Sequence, residues 1–133
     1  MKKNKTYIIA AISIILGLFF VYKGINKHFL SACKVYDSSS TLPIDYQNLM
    51  NALCHSGFTY IVGLIQVASG LLLIIPKTRL LGALLLLPVI INIFLFHLLI
   101  DNRPEELIET GIPLMLNLIV FVSFYPKWKP ILN

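Results

Sequence analysis

Three ionisable side chains interrupt runs that are otherwise apolar: His97, Asp101 and Glu109. His97 and Asp101 lie four residues apart, so on a helix they share one face. An imidazole beside a carboxylate titrates near neutral pH, which suits proton handling or a quinone head group. Lys27, with Lys23 one turn before it, has the reach to join them. Four residues after Glu109, Pro113 removes the amide that would bond the Glu109 carbonyl and leaves an acceptor free there. The competing account is structural: the same groups form hydrogen bonds and ion pairs that hold helices in register. The intramembrane amides Gln66, Asn92 and Asn117 fit that account better than any chemistry. No metal is expected, because His28, His55 and His97 lack the short ligand spacings of a zinc motif. Cys54-His55 lacks the first cysteine of a haem attachment motif. There is no Gly-rich phosphate loop, nucleophile elbow or paired-carboxylate hydrolase pattern. These absences point away from an enzyme. No cofactor is evident, and a quinone is the one that the His97 cluster would suit.

The stretches carrying these residues are those of a membrane protein. Of 133 residues, 57% are hydrophobic and 13% charged, with a mean hydropathy of +0.81. Soluble domains run at roughly 45–50% apolar and about 25% charged. The net charge of +5 would suggest nucleic acid in a soluble chain. Here the basic residues flank apolar spans, so their role is topological and no nucleic-acid partner is expected.

A spanning helix needs about 20 apolar residues. Four stretches supply them: about 6–29, 58–75, 80–100 and 104–125. The first continues past Tyr22 because Lys23 and Lys27 can snorkel to the interface. Pro76 stops the second, Pro104 opens the fourth and Pro126 ends it. The fold class is therefore all-α, an integral membrane four-helix bundle in a single domain, 1–133. Its long outer loop, 30–57, carries a short amphipathic helix. There Tyr46, Leu49, Met50 and Leu53 recur at i, i+3, i+4 and i+7, with Gly57 as the stop. That helix is expected to lie on the membrane boundary or to cap the bundle.

With the N-terminus inside, Lys2, Lys3, Lys5, Lys77, Arg79, Lys127 and Lys129 share one side, against Lys23, Lys27, Lys34 and Arg103 on the other. This bias favours both termini in the cytoplasm, and a bacterial inner membrane is the expected location. Gly17, Leu18, Val21 and Gly24 recur as Gly63, Leu64, Val67 and Gly70. The recurrence reads as small-residue faces for close helix packing.

Leu30-Ser31-Ala32-Cys33 has the look of a lipoprotein processing site. Such a signal needs its apolar core to abut the cysteine, and Lys23, Lys27 and His28 intervene. The segment up to Tyr22 is therefore expected to persist as the first span. Cys33 and Cys54 then share the outer loop, where an oxidising compartment lets them pair. A structural disulfide is the leading reading. The rival, a redox-active pair, lacks the close Cys-X-X-Cys spacing of catalytic dithiols.

"GLFFVYKGINK", "VGLIQVASGLLLI", "LLGALLLLPVIINIFLFHLLID" and the ending "YPKWKPIL" resemble the DoxX-like family of small four-helix membrane proteins, in its Bacteroidetes type. By that resemblance Gly24 and Lys27 match a Gly-x-x-Lys element, and Asn92 with His97 match a third-helix polar pair. Gln66 stands where many members carry glutamate, and a glutamine cannot titrate. The resemblance implies a membrane fold and a link to redox partners.

Three functions compete in order. The first is a non-catalytic accessory or anchoring subunit of a membrane complex. The second is a quinone- or thiol-linked oxidoreductase component. The third is a small transporter or lipid-handling protein. Expected partners are the lipid bilayer and either another membrane protein or a second copy of the chain.

Overall fold

The computed structural model describes residues 2–132, so the two ends of the expected domain, Met1 and Asn133, lie outside the described residues. Helix α1, Lys2–Gly24, runs without a break into a π-helical turn, Ile25–Leu30. An extended loop leads to α2, Ile44–His55, and then to α3, Phe58–Ile74. A 3-10 turn, Pro76–Thr78, opens α4, Arg79–Phe96, which ends in a second π-helical turn, His97–Asp101. Helix α5, Pro104–Ser123, is followed by a short α6, Tyr125–Trp128, and a 3-10 turn, Lys129–Leu132.

Three helical stretches are long and apolar enough to cross a membrane: Lys2–Leu30, Pro76–Asp101 and Pro104–Ser123. Helix α3, at 17 residues, stands at the short end of the spanning range. Helices α2 and α3 form a pair bent by 80°, so α2 lies across the end of the bundle. The bend is made at Gly57, whose φ of 80° is left-handed backbone that glycine adopts without steric cost.

The long helices pack in a ring, with α1 beside α3, α3 beside α4, α4 beside α5, and α5 back against α1. Leu16, Phe20, Leu73, Ala83, Leu86, Ile90 and Val120 form the buried core. The glycine recurrence explains the tightest seam. Helices α1 and α3 are antiparallel, and Gly17 faces Gly70 while Gly24 faces Gly63. A Cβ on Gly17 would stand 2.5 Å from the Gly70 carbonyl oxygen, and one on Gly70 would stand 2.6 Å from that of Gly17. Backbone meets backbone there, the approach that small residues permit between membrane helices.

Large apolar side chains cover the outward faces. Ile15, Leu18, Leu64, Leu84, Ile108 and Met115 are all exposed. Such a continuous apolar exterior is costly in water and costs nothing in hydrocarbon. At the terminal end, α5 stops at Ser123, short of the expected residue 125, and Pro126 sits in the first turn of α6. A proline lacks the amide that a first-turn residue does not use, so it starts a helix as readily as it ends one. Trp128 folds this segment back: its indole Nε1 donates to the Phe121 carbonyl at 3.0 Å, and the two rings stack at 5.0 Å.

Candidate functional site

Both π-helical turns lie at the end of the bundle that carries the 30–57 loop. A π turn takes one residue more than an α turn, which re-aims the side chains it carries. The first turn presents Lys27 and His28; the second presents His97 and Asp101.

His97 is buried, at 4% exposure. Its Nδ1 stands 3.1 Å from each Asp101 carboxylate oxygen. A carboxylate only accepts, so Nδ1 carries the proton. The Asp101 side chain is fully enclosed. It also accepts from Arg103 Nε at 2.7 Å. Asn102 makes this possible: its φ of 46° is a left-handed conformation that asparagine tolerates better than most residues. The chain turns there, and Arg103 folds back onto Asp101. Glu106 closes the group from the first turn of α5, with its carboxylate 3.6 Å from His97 Nε2 and 3.6 Å from the Arg103 guanidinium.

Helix α2 covers this group through Tyr46, which is buried. The Tyr46 ring lies 5.9 Å from the His97 ring, and the Arg103 guanidinium lies 5.2 Å from its centroid, a cation–π distance. Burial raises the phenol pKa of Tyr46, and the nearby Arg103 charge opposes that shift.

Glu109 does not join His97. It pairs with Lys23 on α1, and both side chains are partly exposed at the α1–α5 seam. Lys27 is exposed and finds no carboxylate within 4 Å among the described residues. The grouping expected from sequence therefore divides in two. His97 and Asp101 share a closed network with Arg103 and Glu106, while Glu109 and Lys23 form a separate bridge.

The intramembrane amides also part ways. Asn117 is fully buried, and its Nδ2 donates across helices to the Ala83 carbonyl at 3.0 Å. Gln66 is buried on α3 and faces a cavity between the helices. Asn92 is exposed and donates to the Pro88 carbonyl of its own helix at 2.8 Å, so it ties no second helix.

That cavity, of about 140 Å³, lies beneath α2. Met50 and Leu53 of α2 close it from above, and Phe19, Ile90, Ile93 and Phe96 form its apolar walls. Cys33 and Cys54 are joined as a disulfide with Cα atoms 5.8 Å apart, within the range a bridge demands. The bond ties the extended loop to the last turn of α2. Alkylation of the denatured, unreduced protein should therefore modify neither cysteine. Replacing Cys54 with serine should lower stability by about 3 kcal/mol, the chain-entropy value for a loop of this size, read as a fall in the detergent melting temperature. Two free thiols in freshly isolated membranes would contradict the bridge.

Sequence reasoning missed the parts played by Arg103, Glu106 and Tyr46. The i, i+3 spacing of Arg103 and Glu106 was a usable signal. Nothing local marked Tyr46 as the residue that meets His97, because that contact depends on how α2 folds over the bundle.

A model of the family described as methylamine utilisation protein MauE matches residues 5–106, from α1 to the first turn of α5. Searches of curated proteins and of solved structures find no match. The MauE match overturns the DoxX-like resemblance. The quoted motifs were mainly glycine-spaced apolar runs, and any small bundle with close helix seams needs those, so they could not separate one such family from another. The Gly24–Lys27, Gln66 and Asn92–His97 correspondences carried over from that resemblance fall with it. With its apolar helices and a match over most of its length, this multi-pass membrane protein belongs to the MauE family.

Proposed function

We propose that the chain is a non-catalytic accessory or anchoring subunit of a membrane complex, serving a methylamine utilisation system as its family description indicates. It forms one four-span domain: α1, α3, α4 and α5 cross the bilayer, and α2 lies on the outer face. Both termini are cytoplasmic, as the Lys and Arg bias favours, and the membrane is a bacterial inner membrane. The observation that carries the reading is the closed network of His97, Asp101, Arg103 and Glu106. Each of these groups is engaged by another, and together they join α4 to α5 beneath α2. Such a device holds a surface in place and suits a supporting role for a membrane protein partner or a second copy of the chain.

Purification from native membranes in mild detergent tests this. A partner at constant stoichiometry is expected, along with loss of that partner from the membrane when the chain is deleted. A chain that purifies alone, and whose deletion leaves every component of the system assembled and active, would overturn it.

A further inference from the structure

The sequence points to His97 as the place for a quinone head group, yet both nitrogens of His97 face carboxylates. Another histidine faces the cavity. His28 Nε2 is buried and finds no hydrogen-bond partner among the described residues. His28 is held there because it packs against Gly63, where an added Cβ would come within 2.5 Å of the His28 Cβ.

We propose that the bundle binds a membrane amphiphile with a neutral six-membered ring head group bearing oxygen acceptors and a hydrocarbon tail, the chemical class of the isoprenoid quinones. The ring lies in the cavity beneath α2 and the tail leaves between α1 and α5. This goes beyond the supporting role proposed above and does not depend on it.

Size comes first. The cavity holds about 140 Å³, and a cavity of roughly 150 Å³ accommodates one benzene. Next is the lining. Phe19, Phe20 and Phe96 offer ring faces and edges for offset or edge-on stacking. Polar recognition is sparse and buried, as in most small-molecule sites. His28 Nε2 donates to a carbonyl oxygen or accepts from a hydroxyl, depending on its tautomer. Gln66, beside His28 in the lining, can do either at once. The oxidised and reduced forms of such a ring are therefore both accommodated.

The tail has its own path. A second groove, of about 270 Å³, runs between α1 and α5 and is lined by Ile15, Leu16, Ile108, Ile112 and Leu116. It shares Phe19, Glu109 and Pro113 with the cavity, so the two adjoin, with Glu109, held by Lys23, between them. A phosphate head group is the competing occupant, because Lys27 also lines the cavity; Lys23 is already held by Glu109, and the aromatic walls favour a ring.

The test uses the full-length protein in phospholipid nanodiscs, with decyl-ubiquinone as probe and empty nanodiscs as the partition control. Saturable binding at about one per chain is expected. His28→Leu should weaken it about tenfold, the loss of one buried hydrogen bond. Ile112→Trp, on the exposed side of the groove, should weaken the decyl-tailed probe at least tenfold and leave a tailless dimethoxy-benzoquinone unaffected. The two variants act on different parts of the ligand, so a folding defect in one does not remove the test. Uptake no greater than in empty nanodiscs would overturn the proposal. So would unchanged affinity in both variants.

Discussion

Gly17→Leu should prevent the bundle from assembling. The position faces the Gly70 backbone, and even a methyl group there would come within 2.5 Å of a carbonyl oxygen and 2.8 Å of Ile74 Cγ1. A helix backbone cannot move aside as a side-chain tip can, so α1 and α3 must separate along their whole seam. Overpacking of a well-filled interior costs about 1–3 kcal/mol and sometimes more, and the obstacle here lies at the upper end because it is backbone. Gly70→Leu should behave alike, since the contact is reciprocal. Leu18→Ala, one residue away but facing outward, should be close to neutral. The measurement is the monodisperse fraction and melting temperature in mild detergent. A Gly17→Leu protein that melts with the wild type would show that α1 and α3 do not meet at this seam.

Asp101→Ala should be the most damaging single change at the loop end, and worse than loss of His97. Asp101 takes the close hydrogen bonds of both His97 and Arg103, whereas Glu106 stands 3.6 Å from each. Removing it strands a buried imidazole N–H and leaves a guanidinium without its closest counter-charge. Breaking a buried pair from one side costs about 3–5 kcal/mol. His97→Phe leaves Asp101 still bound to Arg103, so its cost should be about 1–3 kcal/mol, the value for an unmade hydrogen bond. The double variant should cost less than the sum of the two, because they share one interaction. Thermal denaturation of all four proteins measures this. The accessory reading adds a second expectation, that His97→Phe leaves a partner's turnover per folded complex unchanged. If instead His97→Gln folds normally and abolishes that turnover, the residue acts in chemistry and the structural account of the network is lost.

Several elements were legible because one-dimensional signals determine them. The long helices follow from apolar run length, since a chain in hydrocarbon must satisfy its backbone within each segment. The start of α5 at Pro104 and the turn at Gly57 follow from backbone stereochemistry. The short helix α2 follows from the spacing of Tyr46, Leu49, Met50 and Leu53. The α1–α3 seam was visible as a recurrence of glycines, though only as a tendency to pack. The family was not legible, because apolar, glycine-spaced helices are what the membrane itself selects.

The candidate site divides along the same line. That His97 and Asp101 share a face was readable, because four residues along a helix is a local distance. The division of the carboxylates was not. Glu106 turns to His97 and Arg103, while Glu109 turns to Lys23 on another helix, and that choice depends on the relative rotation of α1, α4 and α5. The sequence by itself determined the solvent of this protein, its helical class and the residues able to carry charge within it. Only the tertiary structure decided which charges cancel one another and which polar atom, His28 Nε2, faces the cavity without a partner among the described residues. Hydropathy and periodicity act over one segment at a time, whereas pairing is settled by side chains from segments that are far apart in sequence and meet only when the bundle closes.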